Sequence, residues 1–114
     1  MTDRELLELA AKAAGIDAEW HNDDDADFDA AHEGMFLKGE RGPDNSKYWN
    51  PLMCDGDALR LAVKLGFEIV QFPKHVRVCA NDGEDFHVNH QDDPCAATRR
   101  AIVRAAAEIG RTMP

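Results

Sequence analysis

The feature that most constrains the fold is a change of hydrophobic period at Gly66. Before it, residues 55–65 carry apolar side chains at helical spacing, and after it residues 67–90 alternate between apolar and polar side chains. Two tight connections interrupt the alternation, one at Pro73 and one at the Asp-Gly pair within 81–84, which is a strong hairpin signal. We therefore predict a helix followed by an antiparallel meander of three strands, over 67–72, 75–80 and 85–90.

Capping residues mark a second helix near the start of the sequence. Thr2 and Glu5 form a capping box for a helix that we predict over 2–14, and Gly15 can adopt the left-handed conformation that ends it. Two short apolar stretches follow, and an acidic segment without periodicity separates them. We predict that these stretches form two further strands, over 18–22 and 35–39.

The last segment carries the signals of a third helix. Asp93 can cap it and Pro94 suits its first position, so we predict a helix from Pro94 to Ile109 that Gly110 stops. The helix has an apolar stripe that we expect to be buried. This stripe consists of Ile102, Val103, Ala105, Ala106 and Ile109.

The helix before the period change begins at an Asp-Gly-Asp triplet. Asp55 suits the N-cap and Asp57 the first turn, where a carboxylate favours the positive end of the helix dipole. We prefer this interpretation to a cation site, because the triplet lacks the further ligands of a calcium loop. The predicted core face of this helix consists of Leu59, Ala62 and Val63, with Ala58, Leu61 and Leu65 on its flank.

These elements predict an α+β fold in one domain over 1–114. Their order is α-β-β-α-β-β-β-α, and consecutive strands joined by short turns favour an antiparallel sheet over parallel crossovers. Three amphipathic helices must each bury an apolar stripe. We therefore expect an α-β-α sandwich, in which three helices cover a central, mainly antiparallel sheet of four to five strands.

Composition limits the partners and the compartment. The formal net charge is -9, which disfavours direct binding to the phosphate backbone of nucleic acids. The sequence contains no apolar run long enough to span a membrane, and its first ten residues are acidic rather than signal-like. We therefore expect a cytoplasmic protein whose three cysteines, Cys54, Cys79 and Cys95, are reduced.

Three sequence blocks resemble a known family. The blocks are ELLELAAKAAGI, WNPLMCDGDALRLAVKLG and ATRRAIVRAAAEIG, which contain the three predicted helices. They are similar to the phage ABA sandwich domain, a family of small phage and prophage proteins. The resemblance implies an α-β-α fold and a phage or prophage origin, hence a bacterial host cell, and it implies no catalytic residue or cofactor. The acidic insertion at 23–29 and the pair Met53-Cys54 depart from the family pattern.

Two clusters contain metal-ligand residue types, but their spacing argues against metal sites. In the acidic segment 22–33, Ala26 and Asp27 occupy positions where a calcium loop needs an oxygen ligand and a glycine. His87 and His90 lie three residues apart, so on a strand they point to opposite faces unless the chain bends at Asn89. We predict neither a metal ion nor a cofactor.

The segment before the middle helix contains residues that we predict to contact a partner. Trp49 and Leu52 are expected to cover the core, whereas Tyr48, Met53 and Cys54 have no predicted structural role. A nucleophilic Cys54 would need a base that no motif supplies. The other predicted partner contacts are carboxylates of the acidic segment: Asp23, Asp24, Asp25 and Asp27.

Three functions remain open. The first is a non-enzymatic phage accessory protein whose acidic surface steers it to another protein, such as a basic, nucleic-acid-binding one. The second is a small metal- or thiol-dependent enzyme that uses Cys54, or His87 and His90 with a thiol. The third is a homo-oligomeric phage component, such as a homodimer, formed by edge strands that pair across a two-fold axis. We favour the first function, because the sequence contains no catalytic constellation.

Overall fold

The computed structural model describes residues 1–21, 34–38, 48–80 and 84–114. Within these ranges the chain forms three helices: α1 (Asp3–Ala14), α2 (Asp55–Leu65) and α3 (Pro94–Thr112). The same ranges contain six short strands: β1 (Ala18–His21), β2 (Gly34–Leu37), β3 (Tyr48–Trp49), β4 (Glu68–Gln71), β5 (His75–Cys79) and β6 (Asp85–Asn89). The predicted α+β class is therefore confirmed.

Most of the predicted capping residues begin or end the helices. The side chains of Thr2 and Asp93 each accept a hydrogen bond from the backbone N–H three residues further on, at 3.1 and 3.0 Å. Gly15 and Gly66 end α1 and α2 in the left-handed conformation, with φ of 68° and 70°. These local signals fix the helix bounds because they satisfy N–H and C=O groups that the helix leaves unpaired.

The strands form two antiparallel sheets, with the orders β1-β2-β3 and β4-β5-β6. The prediction of one central sheet with four to five strands is wrong, because no ladder joins the two sheets within the described residues. β3, which is two residues long and pairs Trp49 with Met35, was not predicted. A strand this short carries no alternation that would reveal it.

The predicted alternation is confirmed in β5. Val76 and Val78 are fully buried and Ala80 nearly so, while the intervening side chains face outward. The register places Ile69 of β4 and Phe86 of β6 across from Val78, so the three strands share one inner face. α3 packs against the β5 and β6 part of this face. The predicted turn at Asp82-Gly83 lies outside the described residues.

Gly110 does not stop α3, which continues to Thr112. It is a buried residue inside the helix, at the crossing with α1. A Cβ atom at this position would overlap the carbonyl group of Leu9 and lie 2.8 Å from its carbon atom. The prediction is wrong because the glycine serves a close approach of two helices rather than a helix end. Other small residues of α1 and α3 are buried as well, among them Ala10, Ala11, Ala14, Ala106 and Ala107.

Candidate interaction surface

A hydrogen-bonded turn at Asn50 sets the start of α2. The Asn50 side chain accepts a hydrogen bond from Leu52 N–H at 3.0 Å, and its C=O accepts one from Cys54 N–H at 2.8 Å. Asn50 N–H donates to the Asp57 carboxylate at 3.0 Å. Trp49 and Leu52 are buried, as predicted. The turn and the first turn of α2 therefore form one unit anchored in the core.

The predicted N-cap of α2 is wrong by one residue. Cys54 occupies the N-cap position without a side-chain hydrogen bond, and Asp55 is the first helical residue. The Asp57 carboxylate, and not that of Asp55, accepts the hydrogen bond from the turn at Asn50. The Asp55 carboxylate instead pairs with Arg99 of α3 at 2.5 Å. Arg99 also donates to the Leu52 C=O at 2.8 Å. These contacts tie the start of α2 to α3.

The exposed face of α2 carries two large apolar side chains next to the charged Arg60 and Lys64. Ala58, Leu61 and Ala62 are its buried residues, whereas Leu59 is 59% and Val63 71% exposed. The predicted core face is therefore wrong for Leu59 and Val63. Helical spacing did not decide between the faces, because α2 carries apolar side chains on more than one side. Leu59 and Val63 lie one turn apart, and we call them the α2 ridge.

A groove of about 480 Å³ lies beside the α2 ridge. It forms between α2, β4 and the first turns of α3, and its lining is mainly apolar. The groove exists because α3 packs against β5 and β6 and leaves the inner side of β4 partly uncovered. Apolar residues of its lining are Ala58, Leu59, Ile69, Pro94 and Ile102.

Polar side chains in the groove bond to one another. Gln71 Nε2 donates to Thr98 Oγ1 at 2.7 Å, and the Thr98 hydroxyl donates to the Pro94 C=O at 2.8 Å. His90, which is not part of the groove lining, places its Nε2 2.7 Å from Gln71 Oε1. Because these groups satisfy one another, the groove presents mainly apolar surface to an occupant.

The residues that were predicted to contact a partner differ in their exposure and packing. Met53 is 73% exposed and Cys54 is exposed, directly before α2. Tyr48 is only half-buried, but its ring meets the edge of Phe36 at 5.3 Å and its hydroxyl accepts a hydrogen bond from Asn50 Nδ2 at 2.9 Å. Tyr48 thus has a packing role that the sequence analysis missed. Four predicted contacts lie outside the described residues: Asp23, Asp24, Asp25 and Asp27.

His87 and His90 do not come together. His87 approaches His75 on the outer face of the second sheet, with ring centroids 5.5 Å apart, and His75 stacks on Phe72 at 4.5 Å. His90 instead meets Gln71, whose side chain lines the groove. The hairpin register predicts the ring cluster, since it brings residues 75 and 87 to one face. Within the described residues, no three His, Cys, Asp or Glu side chains are grouped for a metal ion.

The three cysteines are free thiols. The pKa of the Cys79 thiol lies above its ordinary value. The main cause is a hydrogen bond with Asp85, and burial of the thiol is a smaller one. The higher pKa makes Cys79 a poorer nucleophile, because the thiolate is the reactive form. Cys54 and Cys95 are exposed, and in the described ranges neither thiol has a hydrogen-bonded base.

Comparison with protein-family models, with curated proteins and with solved structures gives no match to this chain. The resemblance to the phage ABA sandwich domain therefore stays a prediction. Among the described residues, none of the helices combines the length and the apolar character that a membrane span requires.

Proposed function

We propose that this chain is a non-enzymatic phage or prophage accessory protein that binds another protein through the α2 ridge and the adjacent groove. The observation that carries the proposal is the exposure of two large apolar side chains, Leu59 and Val63, beside an apolar groove. Apolar surface in contact with water is unfavourable, and a contiguous patch of it is typical of an interaction site.

The partner is a protein segment that combines apolar side chains with positive charge. The groove of about 480 Å³ has room for apolar side chains of a bound segment. The net charge of -9 attracts cationic partners at long range, and six carboxylates without any Lys or Arg lie within 22–33 alone. A basic partner therefore associates faster than a neutral one, and its apolar side chains then bind in the groove.

A second copy of the chain fits this surface less well. Two chains that each carry a charge of -9 repel one another at low salt. A two-fold axis would also place groove against groove, which leaves unfilled space at the contact. A convex, cationic segment avoids both disadvantages.

An enzymatic function has less support. Within the described residues, His75, His87 and His90 meet an aromatic ring, another histidine or a glutamine, and neither Cys54 nor Cys95 has a hydrogen-bonded base. Nucleophilic catalysis by Cys54 would need a base within hydrogen-bonding reach of its thiol. The metal- or thiol-dependent enzyme is therefore the weaker hypothesis.

Selection of displayed random peptides on the immobilised protein tests the proposal. We expect enriched peptides that combine apolar residues with Lys or Arg and that bind less tightly at high salt. They should not bind the double variant Leu59→Asp/Val63→Asp. The matched control, Thr112→Asp/Met113→Asp, adds the same two charges at exposed positions at the other end of α3 and should bind normally. A selection that yields no ridge-dependent peptide would contradict the proposal.

A further inference from the structure

We infer that the partner segment binds as an added β-strand along the free edge of β4, with alternate side chains in the groove. This inference rests on the proposed function and specifies its geometry. The occupant is an extended segment of another protein, with apolar residues at every second position. Three features of β4 support it: its unpaired main chain, the direction of its side chains, and an accessible carboxylate.

Among the described residues, the main chain of β4 has unused hydrogen-bonding groups on the side away from β5. Phe72 N–H donates to His75 C=O at 2.8 Å, and the alternation of an antiparallel ladder then directs Val70 toward β5 as well. Ile69 and Gln71 therefore direct their N–H and C=O groups to the opposite side. Within the described residues, β4 is an edge strand and these groups have no main-chain partner.

The side chains of the same two residues line the groove. Side chains directly across two neighbouring strands lie on the same face of a sheet. Residues of an added strand that lie opposite Ile69 and Gln71 would therefore direct their side chains into the groove, next to Leu59. Because β4 has four residues, about two side chains of the added strand would enter the groove.

The other side chains of the added strand would lie on the outer face, beside Glu68. The Glu68 side chain is 68% exposed, and its only ion pair in the described part of the chain is with Arg77, at 3.9 Å. A Lys or Arg of the partner at this position would meet a largely available carboxylate. The recognised segment therefore alternates apolar residues with at least one basic residue.

A helix in the groove is the main structural alternative, and it matches β4 less well. It would cover the edge without bonding to the N–H and C=O groups of Ile69 and Gln71. Burying these groups unpaired is unfavourable, whereas a strand satisfies them. Strand addition is a known mode of peptide recognition in which the main chain supplies affinity and alternate pockets supply specificity.

Peptide N-methylation tests the strand geometry. A selected peptide whose binding requires the α2 ridge is made in two forms. One form is N-methylated at the odd-numbered residues of the peptide and the other at the even-numbered residues. A strand uses alternate N–H groups, so one form should lose about five- to tenfold in affinity per lost hydrogen bond while the other binds normally. Equal loss in both forms, as for a helix, or equal binding by both would overturn the inference.

Amide hydrogen exchange provides the complementary measurement on the protein. Addition of the peptide should slow exchange at Ile69 and Gln71, while Val70, which already bonds toward β5, serves as the internal control. A ridge-dependent peptide that leaves both amides unprotected would overturn the strand geometry and leave the proposed function intact. Protection that rises with protein concentration alone would identify a second copy as the occupant and overturn the inference.

Discussion

α2 and α3 are both amphipathic helices with well-defined starts, but the fold covers them to different extents. α1 packs on one side of α3, and β5 and β6 pack on the other, so most of its small and apolar residues are buried. α2 packs through one face, and Leu59 and Val63 remain exposed. Apolar content makes a helix face available for burial, whereas the neighbouring elements decide whether that face is buried.

The difference assigns separate roles to the two helices. α3 holds the fold together, because it contacts α1, α2 and the second sheet. α2 contributes to the core with one face and retains apolar surface on another, beside the groove. Substitutions in α3 should therefore act mainly on stability, and substitutions in the α2 ridge mainly on binding.

The largest expected difference in stability is between substitutions on the buried and the exposed face of α2. Leu61→Ala removes a side chain that is 2% exposed and should lower the free energy of unfolding by about 2–5 kcal/mol. Leu59→Ala, at 59% exposure, should change it by no more than about 0.5 kcal/mol. Urea unfolding of both variants measures the difference. Similar losses would show that the faces are wrongly assigned.

A pair of glycine substitutions compares the two helices directly. Gly110→Ala in α3 introduces a Cβ against the Leu9 carbonyl and should cost about 3 kcal/mol. Gly56→Ala in α2 places its Cβ 3.2 Å from the nitrogen atoms of the Arg60 side chain, which is flexible and can move. Because alanine favours a helix, Gly56→Ala should leave stability unchanged or raise it by up to about 1 kcal/mol. Thermal unfolding distinguishes these outcomes, and a stable Gly110→Ala variant would contradict the close crossing.

The carboxylates at the start of α2 should have unequal effects. Asp57→Ala leaves the Asn50 N–H without its acceptor and should cost about 1–2 kcal/mol. Asp55→Ala removes an ion pair in which the aspartate side chain is 72% exposed, so its cost should be about 0–1 kcal/mol. Chemical unfolding at neutral pH compares them. A larger loss for Asp55→Ala would restore it as the capping residue.

The smallest effect concerns the end of α3 and depends on pH. A hydrogen bond from Arg111 lowers the pKa of Glu108 below its ordinary value of 4.5. The pair therefore stabilises the fold above that value, and the contribution disappears as pH falls through the lowered pKa. Arg111→Ala should return the Glu108 pKa, measured by NMR titration, to its ordinary range. Arg104→Ala, which removes an exposed guanidinium without an ion pair among the described residues, should leave it unchanged.

Local chemistry made part of this fold predictable. Thr2 and Asp93 cap their helices, Gly15 and Gly66 end theirs, and the β5 alternation buries Val76 and Val78 as expected. Each of these signals acts between residues that are close in sequence, so a single sequence contains it. The presence of the three helices and of the meander in the second sheet follows from such signals, whereas the start of α2 and the end of α3 do not.

Long-range packing decided what the sequence could not reveal. Gly110 looks like a helix stop until α1 is known to cross at that point. Leu59 and Val63 look like core residues until α2 is seen to pack through a neighbouring face. The groove follows from the position of α3 across β5 and β6, which no spacing encodes. The candidate site is therefore where prediction from the sequence failed most.

The most direct test of the proposed surface is NMR chemical-shift mapping with a selected peptide that contains apolar and basic residues. We predict that the largest shifts occur at Leu59, Val63 and Ile69, with smaller ones at Met53 and none at the outer ring cluster of His75 and His87. Shifts centred on that outer face, with Leu59 and Val63 unchanged, would contradict the assignment of the α2 ridge as the binding surface.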